Sequence, residues 1–262
     1  MGVDWGDYDN DGQLDLVVAT YQAETKCVYH NGGHGLFEEA SKTLSLDKRT
    51  LPYVAFGAKW LDFDNDGWLD LIVANGHVED NVQNIDTATT YRQPMQLFWN
   101  ARGKKFADVG GAPGSALLKP IVGRGLAVGD FDNDGRMDAL AVDSEGAPLL
   151  LHNETPNTGH WLSFSLAGAH GNRDAYGAVV TVTGGRLRQS RVCHTDGSYM
   201  SSSDKRVHFG IGKARVANSV TVVWPDGRRD TFSHVAAGRE YKLREGDGTL
   251  IPITRDRSGA GR

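Results

Sequence analysis

Aspartate supplies most of the chemistry that can be read in this sequence. Three nine-residue segments align without a gap: Asp7-Tyr-Asp-Asn-Asp-Gly-Gln-Leu-Asp15, Asp62-Phe-Asp-Asn-Asp-Gly-Trp-Leu-Asp70 and Asp130-Phe-Asp-Asn-Asp-Gly-Arg-Met-Asp138. Carboxylates at positions 1, 3 and 5 of a tight loop can converge on one centre. Gly12, Gly67 and Gly135 at position 6 permit the bend, and the carbonyl of position 7 (Gln13, Trp68, Arg136) is then free to face the same point. Four like charges this close repel one another unless a cation sits among them. Calcium suits the set, because it takes six to eight oxygens at about 2.3–2.6 Å in a pliable shell. The expected ligands are Asp7, Asp9, Asp11, Gln13 and Asp15 for the first loop and Asp62, Asp64, Asp66, Trp68 and Asp70 for the second. Asp130, Asp132, Asp134, Arg136 and Asp138 form the third set, giving three calcium ions in all. A single segment could be an acidic turn held by its own Asx hydrogen bonds; three in phase argue for metal. Asp4 lies outside the pattern and is expected to matter far less to calcium.

These loops are not EF-hands. That design needs a bidentate Glu at position 12 and a helix on either side. Position 12 is Val18, Val73 and Ala141 here, and the flanks are strand-like. The fourth carboxylate falls at position 9, where it can tie the loop to the strand that follows.

Other groups able to do chemistry are read as structural. His194 stands beside Cys193, with Asp196 and Ser198 close by, but adjacent strand residues point to opposite faces and no third group is positioned. The long connection over residues 75–94 carries His77, Glu79, Asp80, Asp86, Tyr91 and Arg92 and reads as a solvated loop rather than a catalytic pair. Trp60, Trp68, Trp99, Trp161 and Trp224 sit mostly at strand positions and read as core rather than as sugar platforms. With every carboxylate cluster committed to metal, no catalytic residue and no binding site for an organic cofactor is expected.

The elements that must position these loops are strands. Short apolar runs follow each loop (residues 16–19, 71–74 and 139–142), and runs at 54–61 and 125–129 precede the second and third. Further strand-like segments fall at 28–30, 36–38, 95–99, 105–109 and 149–152. The loops begin 55 and 68 residues apart, with about four strands in each interval. That spacing is the pattern of propeller blades. The three units resemble the FG-GAP or VCBS repeats of β-propellers, the type also found in integrin α chains, and Phe56-Gly57 stands where that family's Phe-Gly pair would lie. The resemblance covers residues 1–153.

After a polar stretch at 153–159 the pattern changes to strict alternation: Leu162, Phe164 and Leu166, then Val180 and Val182, then Val220, Val222 and Trp224. Pro225-Asp226-Gly227 is a turn that should join 219–224 to 228–234 as a hairpin. Asn172-Arg-Asp-Ala-Tyr-Gly-Ala178, Gly197-Ser-Tyr-Met-Ser201, His208-Phe-Gly-Ile-Gly212 and Trp224-Pro-Asp-Gly227 resemble the ASPIC/UnbV domain, over residues 159–245. The expected fold is thus all-β: a partial propeller of about three blades (1–153), a small antiparallel β domain (159–245) and a mobile tail (246–262). Three blades cannot close a ring, so edges and faces should be exposed and the chain reads as a fragment of a longer protein.

Composition narrows the function. The 262 residues include 33 glycines gathered in turn-like clusters, and the net charge is −5 with no basic stripe, which disfavours nucleic acid. No apolar run approaches the roughly 18 residues of a membrane span, and residues 1–11 show no signal-peptide pattern. Cys27 and Cys193, far apart in sequence, read as two thiols rather than a disulfide. The resemblance implies an extracellular, secreted, calcium-binding protein. Its expected role is a binding or adhesion module for a protein or glycan partner; the alternative is a propeller-scaffold enzyme, with a tailoring or lyase-like activity and structural calcium.

Overall fold

The computed structural model describes residues 1–253, and their architecture is all-β, with helix confined to single turns. Nineteen strands form five sheets. The first sheet is β1 (Val3–Gly6), β2 (Asp15–Val18), β3 (Cys27–Asn31) and β4 (Phe37–Glu39); the second is β5 (Ala55–Leu61), β6 (Asp70–Asn75), β7 (Gln96–Asn100) and β8 (Phe106–Asp108). The third is β9 (Gly123–Gly129), β10 (Asp138–Asp143) and β11 (Leu149–Leu151). Each is an antiparallel meander in chain order, and each aspartate loop is the turn between its first two strands.

These three sheets stack face to face, and burial records the order. β6 is buried at every position because its sheet is covered on both sides. Leu71 and Val73 pack with Val17, Val28 and Trp60 against the first sheet, while Ile72 and Ala74 pack with Leu126, Ala139 and Ala141 against the third. The outer sheets alternate instead: Val3 and Trp5 on β1, and Leu140 and Val142 on β10, stay exposed. A close approach holds the second and third sheets together. A Cβ on Gly57 would lie 2.5 Å from that of Leu126, so only glycine admits this spacing, and the neighbouring Phe56 ring lies 4.1 Å under the Arg124 guanidinium.

The remaining chain folds as β12 (His160–Ala167), β13 (Val179–Gly184), β14 (Leu187–Val192), β15 (Val207–Gly212), β16 (Val216–Val223), β17 (Arg229–Ala236), β18 (Arg239–Arg244) and β19 (Leu250–Ile253). Two sheets, ordered β15-β12-β18-β19 and β14-β13-β16-β17, enclose one core in which Leu162, Phe164, Phe209 and Tyr241 meet Val180, Val182, Val220 and Val222. The hairpin β16–β17 forms as its turn chemistry requires, with Gly227 N–H donating to the Trp224 carbonyl.

The fold departs from the sequence reading in particulars. Five sheets form, not about three; the three foreseen are those that carry aspartate loops. The region at 159–245 is not purely antiparallel, because β12 and β18 pair in parallel, which the intervening strands of the other sheet make possible as a crossover. Residues 250–253, expected to lie in a mobile tail over 246–262, instead pair with β18 as β19; the remainder of that expectation, 254–262, lies outside the described residues. The inner edges are not bare. Ser198 N–H donates to the Val3 carbonyl on β1, while Ser201 Oγ and Ser203 Oγ accept from Leu126 and Val128 N–H on β9, so the connection between β14 and β15 covers both free edges. The 75–94 connection is solvated at its tip but anchored: His77 is 1% exposed and shares a 3.2 Å hydrogen bond with the Tyr21 hydroxyl. Trp60 and Trp224 are core, whereas Trp68, Trp99 and Trp161 are half-buried near the loops. Both cysteines are free thiols. Among the described residues no helix is long and apolar enough to cross a membrane.

The Gly57 contact is testable. Gly57→Val forces a branched side chain into Leu126 and should destabilise the fold by about 1–3 kcal/mol, the range for overpacking, as read from urea denaturation. Unchanged stability would mean that the two sheets are not held at this distance.

Candidate metal centres

Each loop is built by its own aspartates accepting its own N–H groups, and the pattern repeats three times. Position 1 takes both the position-5 and position-6 N–H: Asp11 and Gly12 to Asp7 (3.0 and 3.1 Å), Asp66 and Gly67 to Asp62 (3.1 and 2.9 Å), Asp134 and Gly135 to Asp130 (3.0 and 2.9 Å). Position 5 accepts from position 7: Gln13 to Asp11, Trp68 to Asp66, Arg136 to Asp134. The position-6 glycines have φ of 94°, 95° and 90°, which side chains rarely adopt.

The outcome is carboxylate oxygens drawn to one point in each loop. Asp7, Asp9 and Asp15 place oxygens within 4.8 Å of one another, as do Asp62, Asp64 and Asp66, and Asp130, Asp132 and Asp138. Asp11 groups instead with Asp9 and His30, and Asp134 with Asp132 and His152; Asp134 also pairs with the Arg136 side chain. Among the described residues Asp70 belongs to no such triad. Gln13, Trp68 and Arg136 sit at the turn as expected, with their N–H groups directed at the loop.

Electrostatics strains these clusters. Burial, reinforced by Asp66 and Asp64, pushes Asp62 up to about 8. Burial likewise raises Asp15 to about 7 and Asp7 and Asp130 to about 6, and burial with Asp64 raises Asp66 to about 6. Asp70 is driven well above the usual range by burial and by Asp62. Hard oxygen donors that are too close to share their charges comfortably are the donor set a divalent cation would complete, so the residues present fit calcium.

Three classes of residue in these sites were not foreseen. Asn31 and Asn100 end β3 and β7, Asn153 follows β11 by two residues, and their N–H groups donate to the position-9 carboxylates at 2.8, 2.8 and 2.7 Å. Those same carboxylates accept from position 2 of the loop, so Asp15, Asp70 and Asp138 each clamp a loop to its own sheet. The Asn side chains also cross sheets: Asn100 Nδ2 donates to the Tyr8 carbonyl and Asn153 Nδ2 to that of Phe63. The second class is the residue just before. Trp99 Nε1 donates to Asp64 Oδ2 at 3.1 Å, and His30 and His152 meet Asp9 and Asp132 at 3.3 and 3.1 Å. The third is position 4. Asn10, Asn65 and Asn133 have φ near 60°, and Asn10 Nδ2 donates to the Gly67 carbonyl at 3.0 Å while Asn65 Nδ2 donates to that of Gly135 at 2.9 Å. Each loop is thus bonded to the next. The sequence carried a signal for these, an Asn invariant across the three segments and an aromatic-Asn pair after each, but the 76–94 insertion hides the regular offset.

The C-terminal sheets sit directly on the loops. Gly210 N–H donates to Asp62 Oδ2 at 3.1 Å, Gly159 N–H to the Asp64 carbonyl at 2.7 Å and Gly212 N–H to that of Asn65 at 2.9 Å. His208 Nε2 lies 2.7 Å from Asn65 Oδ1; burial, with Arg206 and Arg191 nearby, lowers it to about 3, so the ring is neutral. Arg206 bonds Asn133 Oδ1 at 2.7 Å and also the Asp130 carbonyl. His194 and Cys193 do not join in a site: His194 pairs with Asp196 at 2.9 Å, and the Cys193 thiol is buried and raised to about 11, chiefly by that burial. Asp4, set aside as bland, forms a buried ion pair with Lys59 at 2.7 Å and accepts Trp60 N–H.

Comparison with known proteins agrees with this geometry. Residues 7–73 match the FG-GAP-like repeat and residues 168–250 match ASPIC and UnbV. The chain is 25% identical to cartilage acidic protein 1 of Homo sapiens over 93% of its length, 25% identical to that of Mus musculus over 87%, and 26% identical to that of Xenopus tropicalis over 90%. It spans about a third of those relatives, 35%, 34% and 35% respectively.

The raised carboxylates fix a pH dependence. Because the folded values of Asp7, Asp15, Asp62 and Asp130 lie above the unfolded value near 4 and outnumber the opposing shifts of His208 and Lys26, the folded chain holds more protons between about pH 4 and pH 7. In chelator the melting temperature should therefore fall as pH rises through that window. In calcium those protons are displaced, and the fall should flatten or reverse. A chelated protein that gains stability from about pH 4 to pH 7 would contradict this.

Proposed function

We propose that this chain is a calcium-stabilised binding module, in which three ions, one per loop, brace about three propeller blades (1–153) against an ASPIC/UnbV-like unit (159–245). The carrying observation is the threefold convergence of buried, mutually repelling carboxylates at the junction of the two parts. Calcium would supply charge neutralisation there. Asp7, Asp9, Asp11 and Asp15, then Asp62, Asp64, Asp66 and Asp70, then Asp130, Asp132, Asp134 and Asp138 would hold it, with the carbonyls of Gln13, Trp68 and Arg136. Similarity to cartilage acidic protein 1 supports an extracellular setting and a role in adhesion, with a protein or glycan as the partner met by the braced loops. A non-catalytic role is favoured because the acids of the loops are engaged with one another, His194 is paired with Asp196 and the Cys193 thiol is buried.

Calorimetric titration of chelator-stripped protein should find three calcium sites. At free calcium about a hundred times the dissociation constant, each would add about 2.7 kcal/mol to folding, and magnesium should not substitute, since it demands rigid octahedral geometry. Asp132→Asn should weaken one site while Glu38→Gln leaves all three intact. Asp4→Asn is no neutral control, because it leaves Lys59 buried without its partner, at a cost of about 3–5 kcal/mol. Fewer than three sites, or a melting temperature indifferent to calcium, would overturn the reading.

A further inference from the structure

Where the C-terminal sheets meet the inner strands they leave a cavity of about 500 Å³, floored by β1 and β5 and roofed by β14 and the segment leading into β15. Pockets of this size bury small organic ligands; Asp7 and Asp62 of the loops reach its wall, but the space itself has no part in the metal reading. Its wall is mostly apolar. Trp5 and Tyr176, 43% and 40% exposed, stand on it from opposite parts of the fold, and Trp60 contributes from β5. The Trp60 ring is otherwise buried, yet its Nε1–H has no acceptor.

One cation on this wall is left over. Asp4 is taken by Lys59 at 2.7 Å, Asp196 by His194 at 2.9 Å and Asp204 by Arg206 at 2.5 Å. Arg191 has no such partner among the described residues. Its Nη1 and Nη2 reach only the Ser190 carbonyl at 3.0 Å and Gln189 Oε1 at 3.3 Å, both on its own strand, and its Nε–H has no acceptor. Asp62 and Asp7 act on it only at longer range, and their oxygens already accept loop N–H groups. A buried guanidinium whose Nε–H has no acceptor is costly, even with Asp62 and Asp7 acting on it from beyond ion-pair distance. Its planar edge matches a carboxylate. Asp62 and Asp7 would repel any anion, a doubly charged one twice as strongly, so a single carboxylate held on the Arg191 edge is the better match.

We propose that this cavity binds a small monocarboxylate with an apolar ring body, the carboxylate on Arg191 and the ring among Trp5, Trp60 and Tyr176. The cavity borders the aspartate loops through Asp7 and Asp62, so its ligand is tested with calcium held constant.

The test is equilibrium titration of the full chain, in calcium-containing buffer, with 1-naphthoate and with its neutral isostere 1-naphthamide. Naphthoate should bind saturably and about tenfold or more tighter than the amide, since only the acid can make a charge-assisted bond. Arg191→Gln should abolish that preference, with its fold checked by thermal melting. Because Arg191 is interior, Trp5→Ala serves as a second variant; its exposed ring can be removed without opening the core, and naphthoate affinity should drop several-fold. The proposal is overturned by absence of saturable naphthoate binding, by equal binding of the amide, or by affinity unchanged in Trp5→Ala or in folded Arg191→Gln.

Discussion

The aspartate at position 9 is the constraint on which the rest of the N-terminal sheets depend. Asp15, Asp70 and Asp138 are nearly or fully buried, and each accepts one N–H from the loop before it and one from the Asn at or just past the end of the third strand. A single side chain therefore fixes the register of three strands at once. An amide could not accept both bonds in that way, because one end of it donates. The consequence is that a carboxyl group is buried in every unit, and that burial is the first cause of the raised values of Asp15, Asp70 and Asp138.

Repetition turns a local device into a connected one. The position-4 Asn of one loop bonds the position-6 carbonyl of the next, and the Asn at or just past the end of one sheet's third strand bonds the position-2 carbonyl of its neighbour. Three loops that could each have closed on themselves are in consequence a single polar layer lying across the ends of the sheets. Beneath it the apolar packing is continuous through the second sheet, whose β6 is buried on both faces. Polar connections above and apolar stacking below constrain the same pair of sheets from two ends.

The C-terminal sheets complete this layer rather than merely following it in the chain. They place backbone N–H groups of Gly159, Gly210 and Gly212 on the second loop and an arginine on the third, while the β14–β15 connection lies along the free edges of β1 and β9. Every one of those contacts is polar and directional, so the fit is specific. The two parts meet around a cavity because directional bonds at its rim hold them apart, and Arg191 hangs into that space.

The sequence by itself determined the local chemistry: the loops, their turn glycines, the strands on either side, the period-two alternation of β12, β13 and β16, and the Pro225-Asp226-Gly227 hairpin. Each of these is set by residues within a few positions of one another, where propensity and periodicity suffice. Tertiary structure alone decided what those local units do to one another. Asn100 reaches Tyr8 from 92 residues away, Asp62 meets Gly210 across 148 residues, and Asp4 finds Lys59 across 55. No spacing rule links such pairs, because their meeting depends on how whole sheets stack. The parallel pairing of β12 with β18 and the covering of β1 and β9 by a distant connection were illegible for the same reason: a strand's own alternation states which face is buried but not which strand lies beside it.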